Sequence, residues 1–127
     1  MDKFNIPVSF NTLEKDKESD IQIKKLIDGH TCVFIARLLP KKTLSAHYHT
    51  EGSEIYQILS GKGQMNTGKL SEGRIIWHDS FHIESGDIFE IKPGIVHQLS
   101  NKNQKDLDII FITPPSHLGE DRIFIPS

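Results

Sequence analysis

Residues 47–61 read HYHTEGSEIYQILSG and contain two histidines, two glutamates and two tyrosines. His47 and His49 stand two positions apart, so on a β-strand they share one face, close enough for both imidazoles to bind the same ion. A carboxylate ligand could follow at either of two positions. Glu51 has the parity of His49, whereas Glu54 reaches the same face only if a turn around Gly52 resets the register. Parity alone leaves both glutamates open.

Segments rich in β-branched and aromatic residues extend in both directions from this run. They cover residues 31–39, 54–59, 74–83, 88–91, 96–100 and 107–113. Turn residues separate most of these segments, and upstream the dipeptide Asp28-Gly29 predicts a β-hairpin closed by a type I′ turn. Helix signals are nearly absent. Short strands alternating with turns are typical of an all-β sandwich or barrel.

Length and charge limit the classes of function open to the chain. Its 127 residues suit one domain. Fifteen Lys and Arg against seventeen Asp and Glu give a net charge of −2, which disfavours a nucleic-acid partner. The longest apolar run, residues 32–36, is too short to span a membrane, and residues 1–10 lack a signal-peptide core. Since the single cysteine has no partner for an internal disulfide, we expect a cytoplasmic protein.

Two motifs in the chain resemble those of the cupin superfamily. The first is His47-x-His49-x4-Glu54-x6-Gly61, and the second is Gly86-x7-Gly94-x2-His97-x3-Asn101. One departure is Lys92, which stands where the family usually has a proline and is followed by Pro93. The resemblance implies a single-domain double-stranded β-helix, or jelly-roll barrel. We expect an N-terminal arm at residues 1–20, the barrel at 21–113 and a C-terminal tail at 114–127.

The same resemblance implies a metal centre inside the barrel. Its expected ligands are His47, His49, Glu54 and His97, which would hold one divalent metal. This donor set contains no thiolate and suits Fe, Mn, Ni, Cu or Zn without selecting among them. Three imidazoles and one carboxylate leave about two open positions on a six-coordinate ion, where a small-molecule ligand could bind. Tyr56 has the parity of Glu54 and is the candidate catalytic side chain, alongside a metal-activated water.

Three candidate functions are compatible with this metal centre. The first resembles the short sugar-isomerase-like cupins, an isomerase or epimerase acting on a small carbohydrate or polar acid. The second is a metal-dependent dioxygenase, and the third is a non-catalytic module that binds a small ligand. Polar donors and acceptors around the metal would favour the first, and a mostly apolar pocket would favour the second. Of the three, the sequence favours the isomerase.

The other four histidines are expected to face solvent: His30, His78, His82 and His117. Alternation along residues 74–83 places Trp77, Phe81 and Ile83 inside the barrel. His78 and His82 would then point outward, which argues against a second metal site there.

The N-terminal residues suggest a partner. Phe4, Ile6, Val8 and Phe10 alternate with other residues, and Pro7 suits an edge strand. An apolar edge strand of this kind can pair with a second copy, so we expect a homodimer.

Overall fold

A computed structural model describes residues 1–126 and shows a chain built mostly of strands. One short α-helix, α1 (Ile6–Ser9), and two 3₁₀ helices, Phe10–Thr12 and Pro115–Leu118, lie near the termini. The strands are β1 (Glu14–Lys15), β2 (Gln22–Asp28), β3 (Cys32–Leu38), β4 (Lys42–Thr43), β5 (His47–Tyr48), β6 (Glu54–Ser60), β7 (Lys62–Ser71), β8 (Arg74–Glu84), β9 (Ile88–Ile91), β10 (Val96–Asn101), β11 (Leu107–Thr113) and β12 (Ile123–Phe124). Residue 127, the last of the expected tail, lies outside the described residues.

The described strands form two antiparallel sheets. One has the order β1-β2-β3-β11-β6-β9, and the other has the order β12-β5-β10-β7-β8, with β4 also pairing with β10. Buried side chains from both sheets join in one core, among them Phe34, Tyr56 and Phe111 from the first sheet and Met65 and Leu99 from the second. The Phe34 and Phe111 rings stack with centroids 4.7 Å apart. The all-β prediction is confirmed, as a two-layer barrel with a single core.

The hairpin around Asp28-Gly29 is present but has a longer loop than expected. Strands β2 and β3 pair antiparallel, and the last pair is Asp28 with Cys32. Residues 29–31 therefore form the connection, so the two-residue type I′ turn was wrong. Cys32 is fully buried on β3.

The expected N-terminal edge strand is absent, because residues 6–9 are helical. The Asn5 side chain accepts a hydrogen bond from the Val8 backbone N–H at 3.0 Å, and Pro7 lies in the first turn, where it fits a helix. This local cap overrides the period-two apolar pattern. The homodimer stays a prediction, without the edge strand that suggested it.

The inward placement of Trp77 was also wrong. The ladder between β7 and β8 pairs Thr67 with Asp79 and Gly68 with Trp77, so a bulge at this point skips His78. A bulge reverses the faces beyond it, and Trp77 is 44% exposed, whereas Ile83 is 1% exposed. Phe81 is 36% exposed, so its inward placement was wrong as well, and of the three residues only Ile83 lies inside. His78 and His82 are exposed, as is His30.

None of the helices within residues 1–126 is long and apolar enough to cross a membrane.

The tight β6–β7 turn supplies a stability prediction. Gly61 has φ +90°, and a Cβ there would collide with the backbone oxygen of Asp106 and lie 3.0 Å from the Leu107 Cα. We expect Gly61→Ala to lower the free energy of unfolding by about 2 kcal/mol or more, measured by urea denaturation. Gly73→Ala is the matched control, since Gly73 also has positive φ but no atom within 4 Å of its added Cβ. An equal decrease in the free energy of unfolding in the two variants would show that the collision at Gly61 does not destabilise the protein.

Candidate metal centre

Strand pairing and one turn bring together the four residues expected to hold the metal. His47 on β5 is the register partner of His97 on β10, and the chain leaves β5 directly into His49. Gly52 then adopts φ +68°, and Glu54 begins β6 facing the interior. Glu54 is buried, whereas Glu51 is exposed. The turn at Gly52 therefore exists, and it directs Glu54, not Glu51, toward the histidines.

Distances within this four-residue cluster are short. The His97 Nε2 lies 3.3 Å from Glu54 Oε1, and the His49 Nε2 lies 3.5 Å from Glu54 Oε2. The His47 ring centroid is 4.2 Å from that of His97 and 5.2 Å from that of His49. His49, Glu54 and His97 are buried, and His47 is partly buried. The cluster thus directs several ring nitrogens and a carboxylate at one small volume.

Backbone carbonyls fix the orientation of all three imidazoles. The Nδ1 atoms of His47, His49 and His97 lie 3.1, 2.6 and 3.0 Å from the carbonyl oxygens of Ser45, Asp121 and Ile95. A carbonyl only accepts hydrogen bonds, so each Nδ1 carries the proton and donates it. In the neutral ring the lone pair then resides on Nε2, the atom that faces the interior of the cluster. Metal-binding histidines are oriented in the same way in proteins generally.

Buried polar atoms without partners concentrate at this point. Within residues 1–126, five buried side-chain atoms lack a hydrogen-bond partner: His49 Nε2, Glu54 Oε1, His97 Nε2, His117 Nδ1 and Arg122 Nε. The first four are one oxygen of the Glu54 carboxylate and three ring nitrogens that lie 3.3 to 3.8 Å from that carboxylate. An unpaired buried polar atom costs on the order of 1–3 kcal/mol, so four together need a common partner. A divalent cation satisfies all four, and these residues fit one.

Burial sets the protonation states that a cation requires. Desolvation, helped by the neighbouring His97, lowers the pKa of His47 to about 3. Desolvation also lowers the pKa of His49. For Glu54 burial by itself would raise the pKa, but the adjacent His117 and His97 more than offset it and hold the pKa well below its ordinary value. His47 and His49 are therefore neutral and Glu54 is ionised at neutral pH, as metal ligation demands.

A fifth residue, His117, joins the cluster, and its expected solvent exposure was wrong. It lies on the 3₁₀ helix Pro115–Leu118, is 1% exposed and stacks on His49 with ring centroids 3.9 Å apart. Its Nδ1 is 3.8 Å from Glu54 Oε2. The only local signal is Pro114-Pro115, which follows β11 directly and ends it. The direction in which the chain turns after these prolines depends on tertiary contacts.

The C-terminal segment is tied to the loop that follows His49. The Asp121 carboxylate accepts hydrogen bonds from Thr50 N at 2.8 Å, Thr50 Oγ1 at 2.7 Å and Glu51 N at 2.9 Å. Arg122 forms a buried ion pair with Asp16 at 2.9 Å. Strand β12 pairs with β5. The expected tail is thus one wall of the site.

The space beside these residues is small. A cavity of about 40 Å³ borders His47, His49, Glu54, Tyr56 and His117. Apolar side chains form much of the remaining wall, among them Ile21, Phe34, Leu44, Phe111, Leu118 and Phe124. This volume holds a metal ion and one or a few water-sized groups.

Tyr56 lies inside the barrel, as its parity predicted. It is buried, and its ring is roughly perpendicular to that of His97, with centroids 6.3 Å apart. Burial, and then the charge of the neighbouring Glu54, raise the pKa of the Tyr56 phenol well above its ordinary value. Tyr56 is therefore a neutral hydroxyl that can donate a hydrogen bond.

Comparison with known proteins agrees with this geometry. The model of the cupin domain family matches residues 34–113. The chain belongs to the cupin family. The match includes the four-residue cluster and both motifs, and with the two-layer barrel it confirms the expected double-stranded β-helix. No curated protein matches the sequence.

Solved structures with the same fold come from several organisms. A Klebsiella pneumoniae protein with a double-stranded β-helix domain is 19% identical, with a TM-score of 0.68 over 94% of this cupin and 95% of that chain. The Schizosaccharomyces pombe Cnp3 cupin domain is 10% identical, with a TM-score of 0.72 over 88% and 72% of the two chains. A predicted oxalate decarboxylase from Thermotoga maritima is 21% identical, with a TM-score of 0.59 over 74% and 79%. Identities this low establish the shared fold alone.

Proposed function

We propose that this cupin binds one divalent metal through His47, His49, Glu54 and His97 and uses it to transform a small molecule, with dioxygenase-type chemistry best suited to the site. The observation that carries the proposal is the convergence of unpartnered buried donor atoms in a small, largely apolar cavity. A redox-active divalent metal held there would bring a small substrate and dioxygen together for electron transfer.

The lining of the cavity separates the dioxygenase from the isomerase. A carbohydrate needs several hydrogen-bonding side chains around it. Beyond the cluster and Tyr56, apolar side chains such as Phe34, Leu44 and Phe111 outnumber the polar ones, which are Ser19, Ser45 and Arg122. A volume of about 40 Å³ also leaves little room for a sugar. Apolar walls exclude water, which suits oxygen chemistry. These features support the dioxygenase over the isomerase that the sequence favoured.

Two side chains beside Glu54 favour catalysis over simple ligand binding. A non-catalytic module would need no proton-transfer group next to the metal. This site has the Tyr56 hydroxyl and the His117 imidazole there. The raised pKa of Tyr56 keeps its proton in place, so we assign Tyr56 as a hydrogen-bond donor to a bound substrate oxygen and not as a base.

Nitric oxide is a direct probe of this proposal, since it binds ferrous ions at the positions that dioxygen uses. We expect the anaerobic Fe(II)-loaded protein to give the EPR signal of a ferrous nitric oxide complex. Tyr56→Phe should keep the signal, because it removes only the hydroxyl. We also expect millimolar glucose or xylose to leave the spectrum unchanged.

Two results would contradict different parts of the proposal. A protein that binds Fe(II) but gives no nitric oxide signal would eliminate oxygen chemistry and leave the metal centre intact. A spectrum that shifts on addition of the sugars would support the isomerase hypothesis instead.

A further inference from the structure

One ring nitrogen of His117 has a hydrogen-bond partner, and the other has none among the described residues. Its Nε2 contacts the backbone carbonyl oxygen of Glu51, which can only accept a hydrogen bond, so Nε2 carries the proton. In the neutral ring the lone pair is therefore on Nδ1. That atom is buried, has no hydrogen-bond partner and faces the Glu54 carboxylate. The arrangement repeats that of the three motif histidines, with the two ring nitrogens exchanged.

The spacing around Glu54 suits a shared ion better than a direct hydrogen bond. A charge-assisted N–H···O bond is about 2.7–2.9 Å long. The three nitrogen-to-oxygen distances here are 3.5 Å from His49, 3.3 Å from His97 and 3.8 Å from His117. Donor atoms that each lie about 2.0–2.2 Å from one ion are roughly 3–4 Å apart. All three distances fall in that range.

Two overlapping groups of donor atoms result. His47, His49 and His97 form one group, and His49, Glu54 and His117 form the other, with the donor atoms of each group within 4.8 Å of one another. His49 belongs to both groups, and the ring of His117 stacks on it at an interplanar angle of 5°. The two groups share His49 and so lie side by side inside the barrel.

We propose that His117 is an additional ligand of the metal, bound through Nδ1 and supplied by the C-terminal segment from outside both sequence motifs. This inference rests on the metal centre proposed above. The ligand set becomes four imidazoles and one carboxylate, which leaves one open position on a six-coordinate ion. A single open position admits a diatomic molecule but forces a bidentate substrate to displace a ligand.

Affinity by itself cannot establish this role, because loss of a group that only orients a ligand also weakens metal binding by about 10–100-fold. The number of imidazoles bound to the metal can establish it. Each ligating ring in this site has one N–H that donates to a backbone carbonyl. In the Co(II)-loaded protein such protons give hyperfine-shifted, solvent-exchangeable NMR signals, one for each bound imidazole.

We expect four such signals from the Co(II) protein and three from His117→Ala, with Co(II) affinity weakened by about tenfold or more. Asp121→Ala is the matched control. It removes the hydrogen bonds from Thr50 and Glu51 and so loosens the same segment, but it removes no donor to the metal. This control should keep four signals.

The outcomes separate this inference from the metal centre on which it depends. Three signals from the wild-type protein would overturn the role of His117 and leave the metal centre standing, and this result needs no variant to fold. Four signals that persist in His117→Ala would overturn it in the same way. A wild-type protein that binds no Co(II), Fe(II), Mn(II) or Zn(II) would overturn the metal centre and the inference together.

Discussion

His97→Ala is expected to lower metal occupancy by an order of magnitude or more. The substitution removes a lone pair that faces the cluster and removes the ring nitrogen that lies 3.3 Å from Glu54 Oε1. His97 also anchors the geometry, since it pairs in register with His47 and donates to the Ile95 carbonyl. The measurement is metal content by elemental analysis after loading and desalting, together with affinity by chelator competition.

Glu51→Ala is the matched control for this experiment. Glu51 is exposed, and the contacts that tie it to the site use its backbone N–H and carbonyl, which alanine retains. Metal binding should therefore be unchanged. Glu54→Ala should behave like His97→Ala. If Glu51→Ala instead strips the metal and Glu54→Ala does not, the assignment of the carboxylate ligand is wrong.

The four-residue cluster could be predicted because its geometry is mostly local. His47 and His49 share a strand face by parity, and the turn that brings Glu54 inward needs the positive φ that Gly52 supplies. The structure resolves the choice that parity left open, since Glu54 points inward and Glu51 does not. His97 lies far away in sequence, and only its fixed place in the second motif related it to the other three.

Three features escaped prediction, each for a separate physical reason. The N-terminal segment is helical because a single side-chain cap at Asn5 outweighs an alternating apolar pattern. Trp77 is exposed because a one-residue bulge reverses the faces of β8. His117 is buried because the chain folds back after β11 and is held by Asp121 and Arg122. The Asn5 cap has a fixed spacing of three residues but competes with the apolar alternation over the same segment, whereas the bulge and the burial of His117 depend on tertiary contacts without a fixed spacing.

The metal-free protein is expected to lose stability as the pH falls below about 6.5. The ordinary pKa of His47 is 6.5, and burial lowers it to about 3 in the folded chain. Between these values the unfolded chain binds a proton that the folded chain excludes, so acid favours unfolding. The free energy of unfolding should fall by up to about 1.4 kcal/mol for each pH unit from this residue. His49, whose pKa burial also lowers, adds a slope of the same sign.

The other titrating groups of the site do not cancel this slope. The pKa of Glu54 is lowered, so the stability it contributes is present above its ordinary value of 4.5 and is lost as the pH falls further. The pKa of His117 is raised: burial alone would lower it, but Glu54 and the Glu51 carbonyl outweigh burial. The stability that His117 contributes is fully present below pH 6.5, and it is lost only as the pH rises through the raised pKa of the folded protein. Both effects lie largely outside the range from pH 6.5 to 4.5.

Urea denaturation at pH 7, 6 and 5 in the presence of a chelator measures this slope. His47→Gln should flatten it, because the amide does not titrate, whereas His30→Gln, at an exposed position, should leave it as in the wild-type protein. An equal slope in wild type and His47→Gln would show that His47 is not buried in its neutral form. Added metal should stabilise the protein more at pH 7 than at pH 5, because it binds the folded ligand set and protons compete for the same nitrogens. A metal-induced stabilisation of the same size at both pH values would mean that histidines do not hold the ion.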